Sequence, residues 1–132
     1  MKFILLVYND PALFDALPAS EFDSRMRGCF AHADELRDEG RLLESQQLGG
    51  PATARTVRVR NGRTTTTDGP FAEAKEVLGG FNIIEAESME EAVRIAESFP
   101  WTRTGSIEVR PVLDLDDVRR RVGAAAASAA NG

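Results

Sequence analysis

The sequence predicts an α+β domain: four strands of an antiparallel sheet, two helices on one face, and a β-hairpin inserted into the chain between the second and third of those strands. Three observations carry this. The run "FILLVY" (Phe3–Tyr8) is apolar on both faces of a strand, two amphipathic stripes at helical spacing separate the strands, and Asn61-Gly62 joins two alternating runs. At 132 residues the chain is one domain, long enough to bury a core.

Phe3–Tyr8 is a central strand, because only a sheet covered on both sides hides both of its faces. Asn9-Asp10-Pro11 ends it, and a loop runs to Pro18. A helix is expected from Ser20, with Asp23 three places on in a capping-box-like arrangement. Phe22, Met26, Cys29, Phe30, Ala33 and Leu36 form its stripe, and Gly40 follows its end. Arg41–Ser45 reads as a second strand, stopped by Gly49-Gly50-Pro51. In "RTVRVRNGRTTTTD", Val57 and Val59 alternate with polar residues, and Asn-Gly tolerates the positive φ of a tight turn, so the threonines form the return strand. "GFNIIEAE" (Gly80–Glu87) is the next strand. Ser88 and Glu91 make a capping box for a helix with Met89, Ala92, Val93, Ala96 and Phe99 on its stripe, ended by Pro100. Ser106–Val112 is the last strand. Residues 1–113 form the domain and 114–132 a tail that decays into alanines, read as a frayed helix or as disorder.

Without the hairpin the order is β-α-β-β-α-β, the ferredoxin-like plan, which leaves one sheet face without helices. Phe81, Ile83, Ile107 and Val109 are expected to share one face, with Asn82, Glu108 and Arg110 on the other beside Ile84 and Val112. A first strand apolar on both sides, with a half-charged second face, suits two sheets packed together around a polar pocket, so the chain reads as a homodimer.

A net charge of -5 with scattered basic residues argues against nucleic acid. No apolar run approaches the roughly 20 residues of a membrane span, and the first strand is too short for a secretory core. One cysteine excludes an intrachain disulfide, and one histidine leaves no His-rich metal site. No metal or cofactor is expected, and the chain reads as cytoplasmic.

"DGPFAEAKEVLGGF" (68–81), the capped helix after it, "SIEVRPV", the opening "MKFILLVYND" and the helix end "ELRDEGRLL" resemble the DGPF branch of the YCII-related domain family. The resemblance covers about residues 1 to 112. It implies a ferredoxin-like fold pairing as a dimeric α+β barrel, a functional link to extracytoplasmic-function sigma factors, and no settled activity. Smaller members pair an aspartate after the first strand with a histidine in the first helix, and related folds include small lyases and cofactor-free oxygenases. The aspartate corresponds to Asp10. Counting back from "DEGRLL", the histidine position is Cys29, and His32 lies one turn further. At about 100° per residue, Cys29 lies about 20° from Phe22 and His32 about 80° away, at the stripe's edge.

Two functions follow as expectations. One is a small molecule held in the barrel pocket for an accessory or regulatory role, contacted by Tyr8, Glu108 and Arg110, with Arg110 suited to a carboxylate or phosphate. The other is a cofactor-free lyase or isomerase using Asp10, His32 and Asp68 as acid–base residues. A purely structural dimer module is a third. Cys29 lies in an apolar stripe that offers a thiolate no partner. Asp68 has a structural role beside its candidate catalytic one: its carboxylate accepts from the turn, Gly69 supplies the unusual dihedral, Pro70 starts a helical turn and Phe71 plugs the core, with Glu73 and Lys75 nearby.

Overall fold

The apolar run becomes β1 (Lys2–Asn9), and its two-sided apolarity decides its place. It lies between β5 (Val77–Glu85) and β6 (Gly105–Pro111), antiparallel to both, with β2 (Leu42–Gln47) beyond β5 at the sheet edge. The structure is a computed structural model that describes residues 1–72 and 74–125. Helix α2 (Ala19–Asp38) links β1 to β2 and α3 (Met89–Glu97) links β5 to β6, which completes the ferredoxin-like connection. Between β2 and β5 the chain makes a separate two-stranded sheet, β3 (Arg55–Arg60) with β4 (Arg63–Asp68), turning through Asn61 and Gly62 at φ 53 and 74.

The core lies between the sheet and the two helices. Phe3, Leu5 and Val7 alternate toward it, opposite Ala33 and Leu36 of α2 and Ala92, Ile95 and Ala96 of α3. Leu5 and Ile84 are 0% exposed. Fully burying one such side chain contributes about 1.5–3 kcal/mol. Ser88 caps α3 as expected, accepting from the Glu91 N–H at 3.1 Å, and the Glu91 carboxylate accepts from the Glu87 N–H.

Several local readings change. Helix α2 starts at Ala19 with Pro18 as its cap and no side-chain cap bond, because the Pro18 carbonyl accepts from the Phe22 N–H and the proline already fixes φ. A short helix, α1 (Pro11–Phe14), occupies the expected loop: Asp10 caps it and Pro11 supplies a first residue with no N–H to satisfy. Phe30 is exposed rather than part of the core. The tail opens with a further helix, α4 (Leu115–Val122), capped by Asp114 and closed by Gly123 in the left-handed region. Its arginines Arg119–Arg121 stand in the last turn, where the helix dipole favours cations. The alanine run beyond residue 125 lies outside the described residues.

The face assignment also shifts. Leu6 stands opposite both Phe81 and Glu108, and Ile4 opposite both Ile83 and Arg110. Cross-strand partners share a face, so Phe81 and Ile83 lie with Glu108 and Arg110 on the outer face, while Asn82 and Ile84 lie with Ile107 and Val109 under the helices. Each strand alternates as expected; the relative register of the two could not be derived from either alone.

Candidate functional site

Asp10 is 6% exposed where β1 meets α1. One carboxylate oxygen accepts from the Ala12 N–H at 3.0 Å, and the other lies 3.7 Å from Lys75 Nζ. Its own N–H donates to the Thr104 carbonyl. His32 faces α3: Ser98 Oγ donates to the Ile95 carbonyl, so His32 Nε2 donates to Ser98 Oγ at 2.6 Å, and the ring meets Phe99 edge-on at 5.1 Å. Asp68 ends β4 with its side chain 92% exposed, 3.7 Å from Arg55 Nε. Each of the three carboxyl and imidazole groups thus has its own neighbours, and no hydrogen bond or ion pair among the described residues joins any two of them.

The Asp-Gly-Pro-Phe segment behaves differently from its structural expectation. Gly69 takes φ 92, but its N–H donates to the Ala54 carbonyl and its own carbonyl accepts from Thr56 Oγ1. The Asp68 carboxylate is not needed by the turn. No helix begins at Pro70, and Phe71 is 77% exposed, its carbonyl accepting from Arg58. Lys75 reaches Asp10 rather than Asp68, and Glu76 accepts from Ser106 Oγ through both oxygens at 2.9 and 2.8 Å. Glu73 lies outside the described residues.

Tyr8, Glu108 and Arg110 do share a face. Tyr8 is opposite Ser106, two positions along from Glu108, and Glu108 and Arg110 pair at 3.9 Å with both side chains exposed. Around them Ile4, Leu6, Phe81 and Ile83 are only half-buried.

A concave space lies on the opposite, helix-covered face. A cleft of about 170 Å³ runs between α2 and the β2–β5–β1 part of the sheet. Phe14 and Trp101 supply flat apolar walls, and Met26, Cys29 and Phe30 reach down from α2. Phe14, Phe22 and Trp101 pack on one another at 5.5 to 6.4 Å between ring centres and close one end. The polar residues lining it are Asn9, Ser45, Gln46, Gln47 and Asn82 with Cys29, all uncharged at neutral pH.

Two glycines shape the floor. Gly79 is an extra residue in β5, between Gly80 opposite Val7 and Leu78 opposite Tyr8. A Cβ on Gly79 would run into the Asn9 carboxamide, and one on Gly80 would stand 2.7 Å from the Gln46 carbonyl oxygen. The missing side chain of Gly79 leaves room for the Asn9 carboxamide beside the bulge, and that of Gly80 lets β2 approach. There Asn9 Oδ1 is buried with no hydrogen-bond partner. An orphaned buried acceptor costs about 1–3 kcal/mol, so a donor that meets it after a rotation of the Asn9 side chain into the cleft is worth binding.

Sequence reading placed Cys29 at the family's histidine position, and it lines this cleft; His32 does not. Burial pushes the Cys29 thiol up from its ordinary range, against an opposing hydrogen bond from Trp101. The thiol therefore stays protonated near neutrality. Alkylation by iodoacetamide at pH 7 is expected to run slower than for free cysteine and to accelerate only on the alkaline side of the ordinary thiol range; fast modification at pH 7, followed by mass spectrometry, would show a thiolate instead. The cleft itself was missed because its polar residues come from four separate segments. The signal that could have found it was the Gly79-Gly80 dipeptide, whose first glycine leaves room for the Asn9 side chain.

A family profile for the YCII-related domain matches residues 1–116. The chain belongs to the YCII-related domain family. An uncharacterized protein of Rhizobium meliloti (strain 1021) is 36% identical over 114 residues, covering 85% of this chain and 92% of the relative. Among solved structures, this YCII-related chain is similar to the 5-chloro-2-hydroxyhydroquinone dehydrochlorinase of Burkholderia phenoliruptrix AC1100 in complex with 2,5-dihydroxybenzoquinone. The TM-score is 0.53 at 17% identity, with 86% of this chain and 94% of that chain covered. That likeness is one of fold. No helix among the described residues is long and apolar enough to cross a membrane.

Proposed function

We propose that this YCII-related protein is a homodimer that binds a small uncharged aromatic molecule bearing a hydroxyl group, in the cleft beneath α2, for an accessory or regulatory role. The observation that carries the reading is Asn9 Oδ1, a buried acceptor lacking a donor in a cleft with uncharged lining. A phenolic O–H, neutral at pH 7, supplies that donor. The size agrees: an engineered apolar cavity of about 150 Å³ takes up benzene, and this cleft is about 170 Å³. The dehydrochlorinase of similar fold binds a dihydroxylated six-membered ring, a ligand of the same size class.

The half-buried apolar residues Ile4, Leu6, Phe81 and Ile83 support dimerisation through the outer sheet face, with Tyr8, Glu108 and Arg110 at that interface. Domain limits of 1–113 and 114–132, membership of the DGPF branch, a cytoplasmic setting and a functional link to an extracytoplasmic-function sigma factor complete the reading. The alternative is a cofactor-free lyase or isomerase drawing on Asp10, His32 and Asp68; in its favour stands the buried Asp10 carboxylate beside Lys75.

Calorimetric titration with phenol and with benzoate separates the neutral cleft from an anion site on Arg110. Phenol is expected to bind at least tenfold more tightly, because a carboxylate would enter an uncharged cleft without a partner. Tighter benzoate binding, abolished by Arg110→Ala, would move the ligand to the outer face.

A further inference from the structure

The β3–β4 hairpin has two unlike faces, and neither is covered among the described residues. Cross-strand pairing puts Val57 beside Thr66 and Val59 beside Thr64 on one face, with the Arg55–Asp68 pair at its base. The other face carries Arg58 beside Thr65 and Arg60 beside Arg63. Val57 and Val59 are 64% and 59% exposed. An isolated two-stranded ribbon is marginal in water and needs a hydrophobic face to pack on something.

The hairpin's base is nevertheless fixed. The Gly69 N–H donates to the Ala54 carbonyl at 2.7 Å, Thr56 Oγ1 to the Gly69 carbonyl at 2.8 Å, and Arg58 Nη2 to the Phe71 carbonyl at 2.7 Å. The ribbon is anchored at one end and presented at the other. Its charge is also unlike the rest of the chain. Residues 55–68 hold four arginines and one aspartate, net +3 in a chain of net -5, which leaves -8 for everything outside the hairpin.

We infer that the β3–β4 hairpin is an arm that docks on a second copy of this chain, with the Val57–Val59 face as its apolar contact and Arg58, Arg60 and Arg63 attracted to the acidic surface of that copy. This rests on the homodimer reading above and specifies where the copies hold each other. The valines remove β-branched surface from water, and the arginines steer association and pair at the rim. A basic ribbon also suits the major groove of DNA, but an apolar valine face gains nothing there, and the strongly acidic remainder of the chain repels phosphate.

Sedimentation equilibrium in low salt and at 0.5 M NaCl tests the arm on the full chain. The wild type is expected to be a dimer whose dissociation constant rises with salt. Val57→Asp with Val59→Asp should raise that constant at least tenfold, with the circular dichroism of the fold unchanged, whereas Val57→Ile with Val59→Ile, which keeps the face apolar and β-branched, should stay close to wild type. Arg58→Glu, Arg60→Glu and Arg63→Glu together should weaken the dimer most at low salt, so that its dissociation constant no longer rises with salt. A wild-type dimer indifferent to both sets of variants overturns the arm and leaves sheet-to-sheet pairing standing. A monomeric wild type overturns both. Duplex DNA binding lost in the arginine variant, with dimerisation unchanged, assigns the ribbon to nucleic acid and overturns the arm as well.

Discussion

Replacing Gly105 by alanine should destabilise the protein by roughly 3 kcal/mol or more, a large part of the roughly 5–15 kcal/mol that holds a domain together. Gly105 opens β6 opposite Asn9, and a Cβ there would collide with the Tyr8 carbonyl oxygen, with the Tyr8 carbonyl carbon at 2.8 Å and Asn9 Cα at 2.9 Å. Every atom in the way is backbone of the central strand, so no side chain can swing aside. The same strand end carries Asn9 and Asp10, so the shift would reach the cleft floor and the α1 cap together. Gly28 is the internal comparison: it lies inside α2 with nothing within 4 Å of a built Cβ. Gly28→Ala should stabilise by about 0.5–1 kcal/mol, the helix-propensity difference. Urea denaturation of both variants checks the pair, and equal small effects would mean that β1 and β6 do not approach as closely as described.

Asn9→Leu should separate stability from binding. Leucine nearly matches asparagine in shape and removes the orphaned acceptor, so the folded protein should gain about 1 kcal/mol. The same change deletes the group offered to the ligand hydroxyl, and phenol affinity should fall by about tenfold or more. Paired urea denaturation and calorimetric titration test both signs. Loss of stability would mean that Asn9 has a partner within the fold.

Much of this architecture is legible in the residues. The two-sided apolar strand, the Ser88–Glu91 capping box, the Asn-Gly turn and the glycine after α2 each act over a few neighbouring residues, and each stands where local chemistry puts it. The features missed are those that depend on distant pairing. Whether Phe81 faces the helices depends on its alignment with Leu6, and nothing in "GFNIIEAE" alone states it. Pro18 displaced Ser20 as the start of α2 because a proline carbonyl can take the first helical bond without a side-chain cap. For the site, residue type misled where environment decides. His32 drew notice by its titration range, yet it ties α2 to α3 through Ser98. Cys29, set aside as buried stripe, lines the cleft. Asn9, which no motif marks, carries the unsatisfied acceptor because a glycine bulge lies beneath it.

The most direct test of the ligand site is a ¹H–¹⁵N correlation spectrum of the full chain titrated with phenol. Saturable shifts are expected at Asn9, Cys29, Gly79, Gly80 and the Trp101 indole, with the outer-face amides of Leu6, Glu108 and Arg110 unmoved. Shifts confined to that outer face, or no saturable shift at the cleft residues, would contradict a ligand site beneath α2.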